Sequence, residues 1–353
     1  MSNMVTFRWA ANEAGLQENQ SMTVGHSQTE SDSQIPCEEG PRGIDFEKLK
    51  PRDLTGVFYL VFAIGLTVFS VWLSSLPSVW IWLAGQFLLA LALIQWFAVL
   101  HEAGHKTLFR TRRLNIWGAH LAGLMAFIPA DCWRIVHAKH HYWTGWQDLD
   151  MTTESLVPRR LHLIERIVIN TCWWLWIPLF ATLYRVNNYW NVFRLWRLFP
   201  RPTDRRVIVF DVTLYLAVYA TLVWLIGWWN VLRFVGLGVW ISFALEDLLI
   251  LSQHTHIPMT LAAGEKVERY PPAGQDVFTR SLLFPTWFAR LILLNMDAHS
   301  LHHMYPQLPG YHLHVLNDQP RNMIRWWKWI IAAKSVRAEV LLFQNRDQTG
   351  YRF

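Results

Sequence analysis

Charge and cysteine are the two things this chain has least of. Charged residues make up 16% of its 353 positions, against about 25% in an average soluble domain. So sparse a supply argues against a surface that is wetted all round. The three cysteines, Cys37, Cys132 and Cys172, are far apart and form no CxxC pair. That excludes a disulfide framework, a zinc knuckle and any all-thiolate metal site, and the three read as free thiols in a reducing compartment. No basic stripe with interleaved aromatics stands clear of an apolar segment, so the net charge of +6 reads as loop charge beside an anionic membrane leaflet rather than as a nucleic-acid surface. Residues 1–45 are rich in Ser, Gln and Glu and hold no basic stretch followed by an apolar run. They are expected to carry no signal peptide and to form a disordered polar segment on the cytoplasmic side.

What the chain has in excess is aromatic and apolar. Phe, Trp and Tyr reach 15%, with 22 Trp among them, and Trp favours the membrane–water boundary, where both its ring and its N–H are satisfied. The runs Leu54–Leu73 and Val79–Leu100 each approach the ~20 residues that cross a hydrocarbon core as a helix. An uncharged Ser74-Ser75-Leu76-Pro77-Ser78 turn joins them. Lys48, Lys50 and Arg52 precede this pair and Lys106, Arg110, Arg112 and Arg113 follow it, so both outer ends face the cytoplasm. Val207–Trp229 and Val231–Leu251 form a second hairpin about Gly227-Trp228-Trp229-Asn230, with Arg194, Arg197, Arg201, Arg205 and Arg206 ahead of it and Arg233 as a mild exception. Two further apolar stretches, Leu114–Ala130 and Ile167–Tyr184, are short and interface-like, and are assigned to the membrane surface. The expected fold is therefore an all-α integral membrane protein of four transmembrane helices in two hairpins. Interfacial helices and a cytoplasmic helical cap complete it. Residues 46–320 form the membrane domain with its cap; residues 321–353 form a C-terminal amphipathic helix and tail. Within the cap, Ser281–Leu294 and Met323–Val340 pattern as amphipathic helices.

Ten of the fifteen histidines fall in four short clusters: His101-Glu102-Ala103-Gly104-His105, His137-Ala138-Lys139-His140-His141, Gln253-His254-Thr255-His256 and His299-Ser300-Leu301-His302-His303. On a helix the positions i, i+3 and i+4 share a face, so each HxxHH cluster can aim its three rings at one point. A neutral imidazole is the commonest metal-binding side chain. This topology leaves every cluster on one side of the membrane. Nine imidazoles exceed the six ligands of one octahedral ion, whereas two ions with four or five each fit the count. Zinc has no redox chemistry to justify so large a set. A diiron centre that activates O2 against an unactivated C–H bond is the natural reading.

In order and spacing these clusters resemble the three histidine boxes of the membrane fatty-acid desaturase and hydroxylase superfamily. Gln253-His254-Thr255-His256 resembles an element of its Δ12-type acyl-lipid branch. So do Asp297, two residues before the last box, and Tyr305-Pro306-Gln307-Leu308-Pro309 after it. The resemblance runs from about residue 54 to 320. It implies an O2-dependent fatty-acid desaturase with two irons held by His101, His105, His137, His140, His141, His254, His299, His302 and His303; His256 competes for the place of His254. It further implies a lipid or acyl-chain substrate and electrons from a ferredoxin or a cytochrome b5. No His-Pro-Gly-Gly cytochrome signature occurs in the chain, so the donor is expected to be a separate protein. The membrane would be a bacterial inner membrane or the endoplasmic reticulum.

Other assignments stay open at this level. Glu102 and Asp297 are either carboxylates that orient metal-bound imidazoles or solvated and capping groups. Asp247, seven residues before His254 in an apolar run, is expected to support the His254 ring, while Asp148 and Asp150 beyond the second box either match acidic residues common there in the family it resembles or cap a loop. Hydroxylation or ketone formation on a lipid, alkane or carotenoid would use the same ligands as desaturation. His101-Glu102-Ala103-Gly104-His105 is also a literal HExxH, the signature of a zinc protease with Glu102 as general base, although that leaves the later clusters without a role. From this reading, His302→Ala or His140→Ala is expected to remove iron and activity while leaving the protein in the membrane. Full activity in either variant would take that residue out of the ligand set.

Overall fold

A computed structural model describes residues 46–316 and 318–353. The N-terminal segment 1–45, for which a disordered cytoplasmic state is expected, and Cys37 with it lie outside the described residues. Among the described residues, four helical spans are each long and apolar enough to cross a membrane: Phe46–Ser75, Val79–Gly104, Pro202–Ile226 and Trp228–His254. They coincide with the four runs read from the sequence, and the chain is an integral membrane protein.

The first hairpin is α1 (Asp53–Ser75) and α2 (Val79–Gly104). α1 leaves Leu54, Phe58, Val61 and Val68 bare on its outer face, where water would penalise them and lipid does not. α2 is the axis of the bundle, with every side chain from Ala92 to Ala103 buried. That is the pattern of a helix apolar all round. The pair closes through small residues: Ser74 Oγ accepts Gln86 Nε2 at 2.9 Å, and the same amide donates to the Phe234 carbonyl at 2.9 Å while its Oε1 accepts Gly238 N–H at 2.8 Å. One glutamine thus satisfies three helices in a region where an unpaired polar group would be costly.

Next come α3 (Arg112–Ala126) and α4 (Ala130–Trp143). Fifteen residues make α3, a length of about 22 Å that falls short of the ~30 Å hydrocarbon core, as expected for a surface segment. The stretch 163–190 holds α5 (Leu163–Trp174) and α6 (Leu179–Arg185), and the helical path bends by 113° at the break between them. Neither arm is long enough to cross alone, and α5 docks on the C-terminal cap, where Trp173 Nε1 donates to the Ala333 carbonyl at 3.2 Å.

α7 (Val192–Leu198) leads into α8 (Pro202–Ile226). The four-residue turn expected after it contracts to Gly227, whose φ of +85° is open to glycine without strain. Asn230 Nδ2 takes the freed Ile226 carbonyl at 2.9 Å. The chain then continues as α9 (Trp228–Val231), a π-turn and α10 (Leu237–His254). The two arms of this second hairpin find different neighbours. α10 packs along α2, whereas α8 leans on α3 and α4, with Tyr215 and Tyr219 donating to the His120 and Leu124 carbonyls at 2.9 and 2.8 Å. Both hairpin turns meet at the end away from the histidines, where Trp82 Nε1 donates to the Arg233 carbonyl at 3.0 Å. Exposed Trp72, Trp80, Trp224, Trp228 and Trp229 cluster there, the composition of a membrane interface.

The cap follows α10. It is helical in α11 (Thr286–Leu291), α12 (His299–Met304), α13 (Trp326–Ser335), α14 (Ala338–Phe343) and α15 (Arg346–Thr349). The two amphipathic helices expected here start differently: Ser281–Leu283 (β1) and Met323–Arg325 (β2) are short strands paired in parallel. Pro285 and the chain reversal at Leu294 and Asn295, both with positive φ, leave α11 only six residues. Trp329, Arg280 and Gln95 tie the cap to the membrane part: Trp329 Nε1 donates to the Leu248 carbonyl of α10 at 3.1 Å, Arg280 Nη1 to the Ser252 carbonyl at 2.7 Å, and Gln95 Nε2 of α2 to the Leu291 carbonyl at 2.9 Å.

Candidate metal centre

Four chain segments deliver imidazoles to one buried place: the C-terminal end of α2, the C-terminal half of α4, the last residue of α10, and α12. They sort into two groups. His101, His105, His137 and His302 can each offer one ring nitrogen so that all four nitrogens lie within 4.8 Å of one another, and His140, His254, His299 and His303 do the same. The ninth, His141, joins the first group, its Nε2 lying 3.1 Å from His137 Nε2 and 3.0 Å from His302 Nε2.

The HxxHH clusters therefore do not each aim at one point, as the spacing alone would have it. Helix geometry gives the reason. At about 100° per residue, i+4 sits about 40° to one side of i and i+3 about 60° to the other, so a cluster spans enough of the helix face to address two centres. On α4 the i, i+4 pair His137 and His141 turns to the first group and His140 to the second. On α12 the assignment is reversed, with His299 and His303 in the second group and His302 in the first. His101 and His105, another i, i+4 pair, complete the first group and His254 completes the second.

Those short contacts cannot all be hydrogen bonds. A neutral ring nitrogen carries one hydrogen or one in-plane lone pair. Yet His141 Nε2 faces two nitrogens, and His299 Nε2 likewise lies 2.9 Å from His254 Nε2 and 3.0 Å from His303 Nε2. Two nitrogens each about 2.1 Å from one ion and at right angles to it are about 3.0 Å apart. His101 Nε2 and His105 Nε2 are buried and have no protein partner. The donor set thus fits metal ions and fits little else.

The opposite nitrogens explain why Nε2 is free. His140 Nδ1 lies 2.8 Å from Asp150 Oδ2 and 3.0 Å from Thr152 Oγ1, His303 Nδ1 lies 2.9 Å from Gln275 Oε1, and His254 Nδ1 lies 3.2 Å from the Phe278 carbonyl. Each acceptor fixes the hydrogen on Nδ1 and leaves the Nε2 lone pair pointing inward. Glu102 Oε1 stands 3.3 Å from His101 Nδ1; its Oε2 accepts Gly310 N–H at 2.7 Å and Thr107 Oγ1 at 3.0 Å. Burial, and after it the neighbouring imidazoles, hold His105, His137, His141, His299, His302 and His303 well below the ordinary imidazole range. That favours the neutral form of these six rings, the form a ligand needs. Burial opposes ionisation of Asp150, but His140 and the surrounding hydrogen bonds outweigh it and keep that carboxyl below its usual value.

Two glycines permit this closeness. A Cβ on Gly104 would lie 2.1 Å from the ring of Trp133, which stacks on His137 at 4.2 Å, and one on Gly310 would lie 2.2 Å from the Leu294 carbonyl beside Glu102.

The other flagged positions are placed elsewhere. Asp247 does not reach His254; its carboxylate accepts the Ala181 N–H at the start of α6. His256 points away from the groups, its Nε2 2.8 Å from Thr349 Oγ1 and its ring against Phe353. Asp297 lines a small cavity with His299, Leu293 and Met296; its Oδ1 has no partner, and burial pushes its carboxyl up to about 7. Asp148 caps a turn through the Ala262 and Ala263 N–H groups at 2.9 and 2.8 Å. Of the two acidic residues after the second box, only Asp150 touches an imidazole. Gln275 and the Phe278 carbonyl escaped the sequence reading altogether, since neither belongs to a pattern.

The fatty acid desaturase family model matches residues 77–325. The chain is 24% identical over 277 residues to the sn-1 oleoyl-lipid 12-desaturase of a Picosynechococcus species, covering 74% of this chain and 73% of that one. It is 23% identical over 291 residues to the protein of the same name from Anabaena variabilis, with 76% of each covered. A third relative, the sn-1 acyl-lipid omega-3 desaturase (ferredoxin) of a Synechocystis species, is 24% identical over 230 residues, 62% of this chain and 61% of its own.

Asp150→Asn keeps the shape and removes the charge that His140 faces. It is expected to weaken metal retention by about 10–100-fold in a chelator-challenge titration, whereas His256→Ala should leave retention unchanged. Equal retention in wild type and Asp150→Asn would show that this carboxylate does not support the site.

Proposed function

The chain belongs to the fatty acid desaturase family, and from that premise we propose that its nine clustered imidazoles hold two irons, one per group. His101, His105, His137, His141 and His302 serve one, and His140, His254, His299 and His303 the other. The chain is a membrane oxidoreductase, a fatty-acid desaturase. The observation that carries the two-iron reading is the pair of nitrogen groups, each converging at the separations one ion imposes.

When bound, the irons supply the redox chemistry that couples O2 to cleavage of two C–H bonds. The balance is one CH2–CH2 unit, one O2, two electrons and two protons giving one CH=CH unit and two waters. The protein's own share is positional. Asp150, Gln275, the Phe278 carbonyl and Glu102 hold the rings by their Nδ1 atoms, and burial of the rings keeps bulk water away. Glu102 is engaged by Gly310 N–H and Thr107 Oγ1 rather than free as the general base of a zinc protease, and His137 and His302 bring two more imidazoles to His101 and His105 than the HExxH pattern supplies.

We take the substrate to be an acyl chain carried on a membrane lipid, and the donor a ferredoxin; the names of the cyanobacterial relatives support both. The groups are assigned to the cytoplasmic face of a bacterial inner membrane or of the endoplasmic reticulum, on the strength of the basic residues flanking the spans. Expression in cells that make oleoyl lipids tests the activity through gas chromatography of their fatty acid methyl esters. A new dienoic acid is expected, absent with the His140→Ala variant. A hydroxy fatty acid, or no new product from iron-loaded protein, would contradict the desaturase assignment.

A further inference from the structure

A third cluster of metal-binding side chains lies apart from the nine imidazoles. His120 on α3, Asp131 at the start of α4 and Asp211 on α8 can each offer one atom so that the three fall within 4.8 Å of one another. Asp211 Oδ1 lies 3.7 Å from His120 Nδ1, and Asp131 Oδ2 lies 3.8 Å from His120 Nε2. Both separations are too long for hydrogen bonds; they start from different ring nitrogens, so an ion shared with both carboxylates takes one nitrogen, and with one atom chosen from each residue the three still lie within 4.8 Å of one another. We propose that His120, Asp131 and Asp211 form a binding site for a single divalent transition-metal ion of the zinc type, independent of the iron centre.

Three further observations carry this. The first is an unpartnered atom: the side chain of Asp211 is 1% exposed, yet its Oδ1 has no hydrogen-bond partner, and neither has His120 Nδ1 opposite it. A buried carboxylate oxygen without a donor is costly, and a cation between these two atoms satisfies both. The second is repulsion, since Asp131 faces Asp211 with a second carboxylate. Arg134 answers only the far oxygen of Asp131, with Nε and Nη2 donating to Oδ1 at 3.2 and 3.1 Å. The third is openness: the His120 and Asp131 side chains are 25% and 32% exposed over the buried Asp211, so the cluster is not sealed inside the protein. One imidazole with two carboxylates suits zinc and its neighbours better than magnesium or calcium, which favour all-oxygen sets.

The other oxygen of Asp211 is already in use. Asp211 Oδ2 accepts the N–H groups of Asp131 and Cys132 at 2.8 and 3.1 Å, the first turn of α4. Tyr215, one turn further along α8, accepts the Ala130 N–H at 3.3 Å and donates to the His120 carbonyl at 2.9 Å. An ion here joins α3, α4 and α8 at the root of the helix that carries His137, His140 and His141, so it fixes the direction of that helix without entering the reaction.

The test uses full-length, iron-loaded protein in detergent, dialysed against micromolar zinc, with zinc and iron measured in the same sample. Wild type is expected to bind one zinc per chain beyond its iron. His120→Ala and, separately, Asp131→Asn are expected to lose that zinc, with affinity at least a hundredfold weaker and iron content unchanged; both positions are partly exposed and outside the iron groups. Equal zinc uptake in wild type and both variants would overturn the proposal, and so would no uptake by wild type.

Discussion

Nine imidazole nitrogens must be brought together neutral, dry and with their lone pairs facing inward, and the rest of the molecule answers to that requirement. A cluster of this kind is unfavourable in isolation. Stripping water from so many polar rings costs free energy, and each proton taken up by a ring removes a lone pair that an ion would use. Burial suppresses protonation of His137 and His141 on α4 and of His299, His302 and His303 in the cap. The acceptors at Asp150, Gln275 and the Phe278 carbonyl hold three of the hydrogens on the outer nitrogen. What remains is a set of lone pairs whose repulsion a pair of cations relieves. The metal centre and the fold around it therefore stabilise one another.

The membrane part is arranged as a delivery system for this cluster. α2 and α10 run side by side from the Trp-rich end and terminate together, presenting His101, His105 and His254 at the same level. α4 lies between the spans and the cap, held at its first turn by Asp211 of α8. The cap then closes with α12, pinned by Trp329 on α10 and by Asn295, whose Nδ2 donates to the Gly310 carbonyl at 3.0 Å. A buried ion pair of Arg185 with Glu246 ties α6 to α10, with the guanidinium 4.0 Å above the Phe243 ring and its Nε on the Ala126 carbonyl at 3.0 Å. Such a pair contributes geometry more than net stability. Here it fixes the bent segment against the bundle.

Much of this is written in the order of residues. Length and hydropathy define the four spans, because a ~30 Å apolar slab imposes its thickness on any helix that crosses it. The spacing of histidines brings out ten candidates, among them the nine that the structure gathers in one place. Their partition into two groups is not visible in that spacing, because it depends on how α4 and α12 are rotated against each other. His254 and His256 look alike in sequence; they part because α10 ends at His254 and the chain turns, with His256 at a positive φ of 59°. Asp150 and Asp148 are likewise two residues apart and equivalent on paper, until the loop fold gives one to His140 and the other to a turn. Gln275 sits 28 residues before His303, and contacts across such a gap follow from tertiary packing alone. The strands β1 and β2 are too short for their pairing to leave a periodic signature.

The central claim is that the nine imidazoles make two iron sites and not one, and the most direct test is a count of iron. Elemental analysis of full-length protein purified in detergent from iron-replete cells should give two irons per chain. One iron per chain, or less, would contradict the account.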